Sequence, residues 1–214
     1  MTQTRIVVLV SGRGSNLRAI HEAARRDQIP IAIAGVASNN PQSEGLAWAM
    51  QQGLPVALIN HRDFPLRASF DQALMNIVDG WRPDLVVLAG FMRILGAPFI
   101  RHYQDRLLNI HPALLPAFPG LNTHARALAA GHARHGATVH FVSDEVDAGP
   151  IVAQASVAVH PEDTPQSLEA RVLTQEHLLL PRVIKWFAQG RLAVRHGQAL
   201  LDGKPVDTDL LHVD

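Results

Sequence analysis

An asparagine and a histidine two positions apart carry the clearest chemical signal in this sequence. Asn109 and His111 lie within the run Leu107–Pro116, which reads Leu-Leu-Asn-Ile-His-Pro-Ala-Leu-Leu-Pro. Side chains two apart on a strand project from the same face, and Pro112 ends the strand directly after them. Open α/β sheets bind ligands at such strand ends, and an amide beside an imidazole is suited to stabilise an oxyanion in acyl transfer. The alternative is a structural histidine that caps the strand and hydrogen-bonds to the backbone.

An acidic loop offers a partner for this imidazole. Asp144, Glu145 and Asp147 follow the predicted strand Ala137–Val142 and come just before a Gly-Pro pair. A carboxylate that reaches His111 favours the imidazolium and raises its pKa. Acidic residues near Gly-Pro are more often turn formers or solvated charges, so the residues alone leave the choice among the three open.

A glycine-rich turn is the second candidate site. The run Ser11–Asn16 reads Ser-Gly-Arg-Gly-Ser-Asn and joins the first predicted strand to the first predicted helix. Its glycines allow a tight turn whose backbone N–H groups point towards an anion at the helix start, and Ser15 adds a donor. The run lacks the Gly-Lys-Ser/Thr of a Walker A loop, and the third glycine of the dinucleotide fingerprint would fall at Leu17. A phosphate site is favoured over NAD, the alternative being a tight turn with no ligand.

Composition excludes several classes of function. The chain of 214 residues has no cysteine, which excludes disulfides, thiolate zinc sites and a cysteine nucleophile. Its 19 basic and 19 acidic residues balance, so nothing points to nucleic acid as a partner. The first apolar run is too short for a signal peptide or a membrane span. We therefore expect a soluble, cytoplasmic protein without a membrane partner.

Two further chemistries are disfavoured. No Gly-x-Ser-x-Gly elbow is present, which argues against an α/β-hydrolase nucleophile. His132, His135 and His140 lack a carboxylate at a clear ligand spacing. We interpret them as surface or loop histidines, predict no metal site, and keep zinc only as a minor possibility.

Strands and helices alternate over the first hundred residues, and this rhythm predicts an α/β fold with a doubly wound, mostly parallel sheet. Four strands are expected there, at Arg5–Ser11, Ile31–Ala37, Val56–Ile59 and Asp84–Gly90. Beyond them the pattern becomes mixed. A long helix is predicted from an N-cap at Thr164 to Gln189, with a kink or break at Pro181, followed by a hairpin over Arg191–Leu201.

Taken together, the motifs resemble those of the phosphoribosylglycinamide formyltransferases, folate-dependent enzymes of purine synthesis. The resemblance spans nearly the whole chain, through Val8–Leu17, Val87–Leu95, Leu107–Pro116, Phe118–Gly120, His135–Val142, Asp144–Pro150 and Thr174–His177. The Asn-x-His-Pro-x-Leu-Leu-Pro element is shared with other 10-formyltetrahydrofolate enzymes. The alternatives are therefore a formyltransferase or formyltetrahydrofolate hydrolase acting on another substrate, or a non-catalytic phosphate- or folate-binding module.

The resemblance implies a Rossmann-like formyltransferase fold that moves the formyl group of 10-formyltetrahydrofolate, a co-substrate, to the amine of phosphoribosylglycinamide without a metal. Residues 1–103 would form the phosphate-binding half, and residues 104–214 the catalytic and folate-binding half on the same sheet. The resemblance is compatible with either a monomer or a homodimer.

The same resemblance assigns roles residue by residue. Asn109, His111 and Asp147 would be catalytic, with Asp147 selected because it precedes a small residue and then Gly-Pro. Gly14, Ser15 and Asn16 would hold the substrate phosphate, and Glu176 the ribose hydroxyls. The glutamate tail of the folate would contact Arg67. The other residues expected to bind folate are Met92, Arg93, Ile94, Leu95, Asn109, Val142, Ser143, Asp144, Glu145 and Val146.

Overall fold

The computed structural model describes residues 3–206. Within them, the strands are β1 (Thr4–Val10), β2 (Ile31–Ser38), β3 (Val56–Leu58), β4 (Leu85–Leu88), β5 (Leu107–His111), β6 (Arg134–Phe141), β7 (Ile151–Ala158), β8 (Leu192–Arg195), β9 (Gln198–Leu201) and β10 (Lys204–Pro205). The α-helices are α1 (Ser15–Arg26), α2 (Glu44–Gln51), α3 (Arg67–Gly80), α4 (Ala97–His102), α5 (Thr123–Ala129) and α6 (Pro165–Ala188), and a short 3₁₀ helix covers His61–Asp63.

Seven of the strands form one sheet in the order β3-β2-β1-β4-β5-β6-β7. The pairs β1–β2, β1–β4 and β2–β3 are parallel, whereas β6 and β7 pair antiparallel. A separate antiparallel sheet has the order β10-β9-β8. The predicted α/β class, with a mostly parallel sheet continued by a mixed carboxy-terminal part, is confirmed, as is the predicted hairpin, which is formed by β8 and β9.

The chain divides into two compact units, Met1–Leu108 and Asn109–Asp214. In the first unit, β1 is apolar from Ile6 to Val10, and these five residues have no exposed surface. A strand covered on both faces is typical of a parallel sheet, in which helices pack on either side. The division of labour predicted for residues 1–103 and 104–214 stays a prediction, and its last residues, 207–214, lie outside the described part.

In the second unit, α6 packs against β6 and β7. It begins at the predicted N-cap: the Thr164 hydroxyl accepts a hydrogen bond from the Ser167 amide, and the Ser167 hydroxyl accepts one from the Thr164 amide. Such a reciprocal pair satisfies two backbone donors that the first helical turn leaves without partners.

Of the kink or break predicted at Pro181, the break is wrong, because α6 runs through this residue without interruption. A proline inside a helix removes one backbone hydrogen bond and costs about 3 kcal/mol. Burial of a large aliphatic side chain contributes roughly 1.5–3 kcal/mol, and Leu179, Leu180, Val183 and Ile184 are all buried around the proline. Tertiary packing therefore outweighs the local penalty.

No helix formed by residues 3–206 has both the length and the apolar composition needed to cross a membrane.

Candidate active site

The second unit brings together the three residues predicted to be catalytic. Asn109 and His111 lie at the end of β5, and Asp147 lies in the loop between β6 and β7. The Nδ1 atom of His111 is 3.4 Å from Oδ2 of Asp147. Asp144 and Glu145 are exposed, so burial and distance both single out Asp147 among the acids of this loop.

The His111 ring is fixed by acceptors on both of its nitrogens. Its Nε2 donates to the Phe118 carbonyl oxygen at 2.9 Å, which assigns a hydrogen to Nε2 because a carbonyl only accepts. Its Nδ1 therefore carries no hydrogen in the neutral ring and faces the Asp147 carboxylate. A proton bound at Nδ1 would therefore lie next to the negatively charged Asp147 carboxylate.

The expectation that a carboxylate makes the imidazolium the favoured form of His111 is wrong, although Asp147 does act in the expected direction. Burial lowers the pKa of His111 below its ordinary value, and it outweighs the Phe118 carbonyl and the Asp147 carboxylate, both of which raise it. The ring is only 5% exposed, and removing an imidazolium from water is costly. His111 is therefore mostly neutral at pH 7.

The pKa of the Asp147 carboxyl group is also set by opposing effects, and here burial is outweighed. Burial alone would raise its pKa, but the nearby His140, the hydrogen bond from the Gly120 amide and the positive charge that either histidine carries when protonated hold the pKa below the usual range. The Gly120 N–H donates to Oδ2 at 2.8 Å. Asp147 is therefore an ionised, half-buried carboxylate held by the backbone.

His140 is a member of this group that the sequence reasoning missed. Its Nδ1 donates to the Phe141 carbonyl at 2.9 Å, so Nε2 of the neutral ring is an acceptor, and it receives the Asn109 Nδ2–H at 3.1 Å. The same Nε2 lies 3.7 Å from Oδ1 of Asp147. His140 thus contacts both Asn109 and Asp147.

The interpretation of the three neighbouring histidines as surface or loop residues holds only for His132, which is exposed. It is wrong for His135 and His140, which are each 1% exposed and lie on β6. The strand begins at Arg134 rather than at the predicted Ala137, because its pairing with β7 extends to that residue. The signal available for His140 was its position at a strand end, just before the acidic loop.

The glycine-rich turn of residues 11–16, which is the predicted phosphate loop, lies in the first unit and joins β1 to α1. Gly14 has φ 72° and is the N-cap of α1, which begins at Ser15. Successive backbone N–H groups at a helix start form an anion site. A Cβ added to Gly14 would collide with Cα of Gly45, at the start of α2. The Gly45 amide and the Ser43 hydroxyl both donate to the Gly12 carbonyl, at 3.0 and 3.1 Å.

Gly45 is a second residue that the motif analysis missed. The backbone of Gly45, at the start of α2, packs directly against the backbone of Gly14. A side chain at either glycine would therefore collide with the other. The sequence holds an isolated glycine after an N-cap serine there, which alone does not indicate a contact with residue 14.

The remaining predicted residues divide between the two units. In the first unit, Arg67 begins α3 and is exposed, while the segment after β4 exposes Met92 and Ile94 and buries Leu95. The Arg93 guanidinium lies 4.6 Å from the centroid of the Phe70 ring. Asn16 is buried and Ser15 half-buried at the start of α1.

In the second unit, Glu176 is buried on α6. Val142 and Ser143 are half-buried at the start of the acidic loop, and Val146 is exposed like the two acids before it. Across residues 3–206, no group of three or more His, Asp or Glu side chains is arranged to hold a metal ion.

Residues 4–184 match the model of the formyl transferase family, and the chain belongs to this family. It is 48% identical over 199 residues to the phosphoribosylglycinamide formyltransferase of Escherichia coli K12, an alignment that covers 93% of this chain and 94% of the relative. The enzyme of the same name from Haemophilus influenzae is 45% identical over 200 residues, with 94% of each chain covered.

A solved structure of phosphoribosylglycinamide formyltransferase from Coxiella burnetii superposes with a TM-score of 0.92 at 48% identity and covers 96% of each chain. The family resemblance drawn from the motifs is thereby confirmed.

Proposed function

We propose that this enzyme transfers the formyl group of 10-formyltetrahydrofolate to the amine of phosphoribosylglycinamide in purine biosynthesis. The observation that carries the proposal is the group formed by Asn109, His111, His140 and Asp147, which sits on a chain aligned with formyltransferases of that name over nearly their full length. The proposal includes a cytoplasmic location, a reaction without a metal, and a monomer or a homodimer.

The chemistry begins when the substrate amine attacks the formyl carbon on N10 of the folate. A tetrahedral intermediate forms, with an oxyanion on the former carbonyl oxygen and a positive charge on the amine. Asn109 has two amide hydrogens, of which one is donated to His140, and the second stabilises the oxyanion. A preorganised donor of this kind is commonly worth about 10²–10³ in turnover.

His111 takes up the proton that the amine releases. Burial lowers the pKa of His111 and so keeps the ring neutral before attack. Once the ring is protonated, the Asp147 carboxylate beside Nδ1 stabilises the imidazolium. The C–N10 bond then breaks, the oxyanion re-forms the carbonyl, and the His111 imidazolium returns its proton to N10, which gives tetrahydrofolate and a neutral His111. No covalent enzyme intermediate is needed.

The other residues bind the two substrates. Gly14, Ser15 and Asn16 hold the phosphate at the start of α1, where helix N–H groups and the helix dipole favour an anion. Glu176 accepts hydrogen bonds from the ribose hydroxyls. Arg67 pairs with the glutamate tail of the folate, and residues 92–95 and 142–147 contact the pterin.

The test is a coupled measurement of both products. Purified protein is mixed with 10-formyltetrahydrofolate and phosphoribosylglycinamide, and tetrahydrofolate, formylated ribonucleotide and formate are quantified. Equal amounts of tetrahydrofolate and formylated ribonucleotide are expected, with little formate. Formate as the main product, with or without the ribonucleotide, would show a hydrolase, and ligand binding without turnover would show a binding module.

A further inference from the structure

The exposed segment that follows β4 is held at both ends by buried side chains. The Met92 amide donates to Oγ of Ser11 at 2.7 Å, and the Gly96 amide donates to Oδ2 of Asp71 at 2.8 Å. Ser11 is 6% exposed and Asp71 is 4% exposed. Each anchor therefore lies within the core of the first unit, where water competes little for the hydrogen bond.

Ser11 is the first residue of the predicted phosphate loop, yet its side chain hydrogen-bonds to the segment that follows β4. Its hydroxyl accepts from the Met92 amide and donates to Oδ1 of Asn39, which is also buried. A serine hydroxyl has one hydrogen to donate, and here Asn39 receives it. The side chain is thus committed to its neighbours rather than to an anion in the loop.

Asp71 and Gly96 fit each other closely. A Cβ at Gly96 would lie 2.8 Å from Oδ2 of Asp71, which is nearer than side-chain carbons approach an oxygen. Gly96 has no positive φ that would require glycine. The missing side chain at this position is therefore explained by the carboxylate that caps the segment.

Between the two anchors, two side chains of the segment are open to solvent while Leu95 is buried. Met92 is 69% exposed and Ile94 is 60% exposed, while the Arg93 guanidinium rests on the Phe70 ring. An exposed stretch whose backbone is fixed at both ends is preorganised for a ligand, because little conformational entropy is lost when the ligand binds.

We propose that Ser11 and Asp71 are positioning residues that hold the backbone of residues 92–96 in the shape that binds the folate co-substrate. This inference rests on the proposed function, in which residues 92–95 contact the folate. Neither side chain needs to touch the ligand, since both act through backbone amides of the segment.

The first test separates the two substrates kinetically. Ser11→Ala, Asp71→Ala and Gly96→Ala are each expected to raise the KM for 10-formyltetrahydrofolate about three- to tenfold, the effect of one lost hydrogen bond. The KM for phosphoribosylglycinamide is expected to change less than twofold. Ser15→Ala is the matched serine control and is expected to show the opposite pattern, with a raised KM for the ribonucleotide.

The conservative variant Asp71→Asn distinguishes the hydrogen bond from the charge. An asparagine oxygen still accepts from the Gly96 amide, so a folate KM within about twofold of wild type is expected. If Asp71→Asn instead behaves like Asp71→Ala, the positioning role of Asp71 is overturned, because the charge and not the anchor is then what matters.

A readout without turnover completes the test. Hydrogen–deuterium exchange of the amides of Met92 and Gly96 is expected to be faster in Ser11→Ala and Asp71→Ala, respectively, than in wild type. Unchanged exchange and unchanged folate KM would overturn the inference, as would an equal rise of both KM values, which indicates a general loss of structure. A wild-type protein that does not consume 10-formyltetrahydrofolate would instead refute the proposed function.

Discussion

The Nδ2 atom of Asn109 lies 3.1 Å from the Nε2 atom of His140, and the direction of this hydrogen bond is fixed from the far side of the imidazole ring. Because Nδ1 of His140 donates to the Phe141 carbonyl, Nε2 has to accept when the ring is neutral. The Asn109 amide is therefore oriented with its nitrogen towards His140. The same contact fixes the direction of the second amide hydrogen, which we assign to the oxyanion.

Replacing His140 with alanine removes this orientation. The Asn109 amide is then free to rotate, and Asp147 loses the imidazole that lies 3.7 Å from its Oδ1 atom. We expect kcat to fall about tenfold or more, since an oriented donor that becomes mobile loses much of its effect, with a smaller change in both KM values. The exposed His160 is the matched control, and His160→Ala should keep wild-type kinetics. A kcat within twofold of wild type for His140→Ala would contradict the role.

Removing either residue at the end of β5 should be more damaging. Asn109→Ala deletes the proposed oxyanion donor and His111→Ala deletes the proposed proton acceptor, so each should lower kcat by about 10²–10³. Steady-state kinetics with both substrates measure the effect, and circular dichroism checks that the variants fold. Near-normal turnover by His111→Ala would mean that another group handles the proton.

Asp147→Asn tests the electrostatic relation between Asp147 and His111. The carboxylate raises the pKa of His111, although burial outweighs it, so removing the charge should lower that pKa further. If the neutral ring is the active form, kcat/KM falls as pH drops through the pKa of His111. The acid limb of the pH–rate profile should therefore move to lower pH in the variant, and the maximal rate should also fall because the imidazolium is less stabilised. A limb that stays in place would show that another group produces it.

Gly45→Ala tests the support behind the phosphate loop. The added methyl group would approach Cα of Gly14 to 2.8 Å, so either the loop or α2 has to shift. We expect the KM for phosphoribosylglycinamide to rise about tenfold or more, because the backbone amides proposed to bind the phosphate move. Gly80→Ala is the control, since a Cβ there meets no atom within 4 Å. An unchanged KM in Gly45→Ala would show that the loop tolerates the shift.

Acid should destabilise the fold through His135. Burial and the neighbouring His124 lower the pKa of His135 from 6.5 to about 4. Between these two values the unfolded chain binds more protons than the folded one, so stability decreases as pH falls from 6.5 towards 4. The full effect is about 3 kcal/mol, from 1.36 kcal/mol per pKa unit.

Urea unfolding of His135→Asn at pH 7.5 and pH 5 measures this contribution. The variant should lose less stability on acidification than wild type, whatever its stability at pH 7.5. His160→Asn, at an exposed site, should follow the wild-type curve. Parallel pH curves for wild type and His135→Asn would contradict the assignment.

The sequence allowed much of the fold to be predicted because its strongest signals are local. The apolar run in β1 and the N-cap threonine of α6 each depend on neighbouring residues, and both were correctly located. The strand β5 was found for the same reason, with Asn109 and His111 two apart before a proline. The 3₁₀ helix at His61–Asp63 and the short helix α4 were not predicted, because so few residues give no periodic pattern.

What sequence reasoning missed depends on residues far apart in the chain. The pKa of His111 was predicted to rise, because the partner carboxylate is visible in the sequence while the extent of burial is not. The partnership of Asn109 with His140 and the contact of Gly14 with Gly45 likewise arise only when separate elements pack. Burial and close packing, rather than residue type, decide these features.

The loop between β5 and α5 contacts two of the proposed catalytic residues, His111 and Asp147, through its main chain. The Phe118 carbonyl holds His111, the Gly120 amide holds Asp147, and both residues have positive φ, as does Asn122. Because peptide groups are common to all residues, these two contacts depend on the path of the loop and not on the side chains of residues 118 and 120. A substitution at residue 118, 120 or 122 should therefore preserve activity when the new residue can adopt the positive φ that the loop requires.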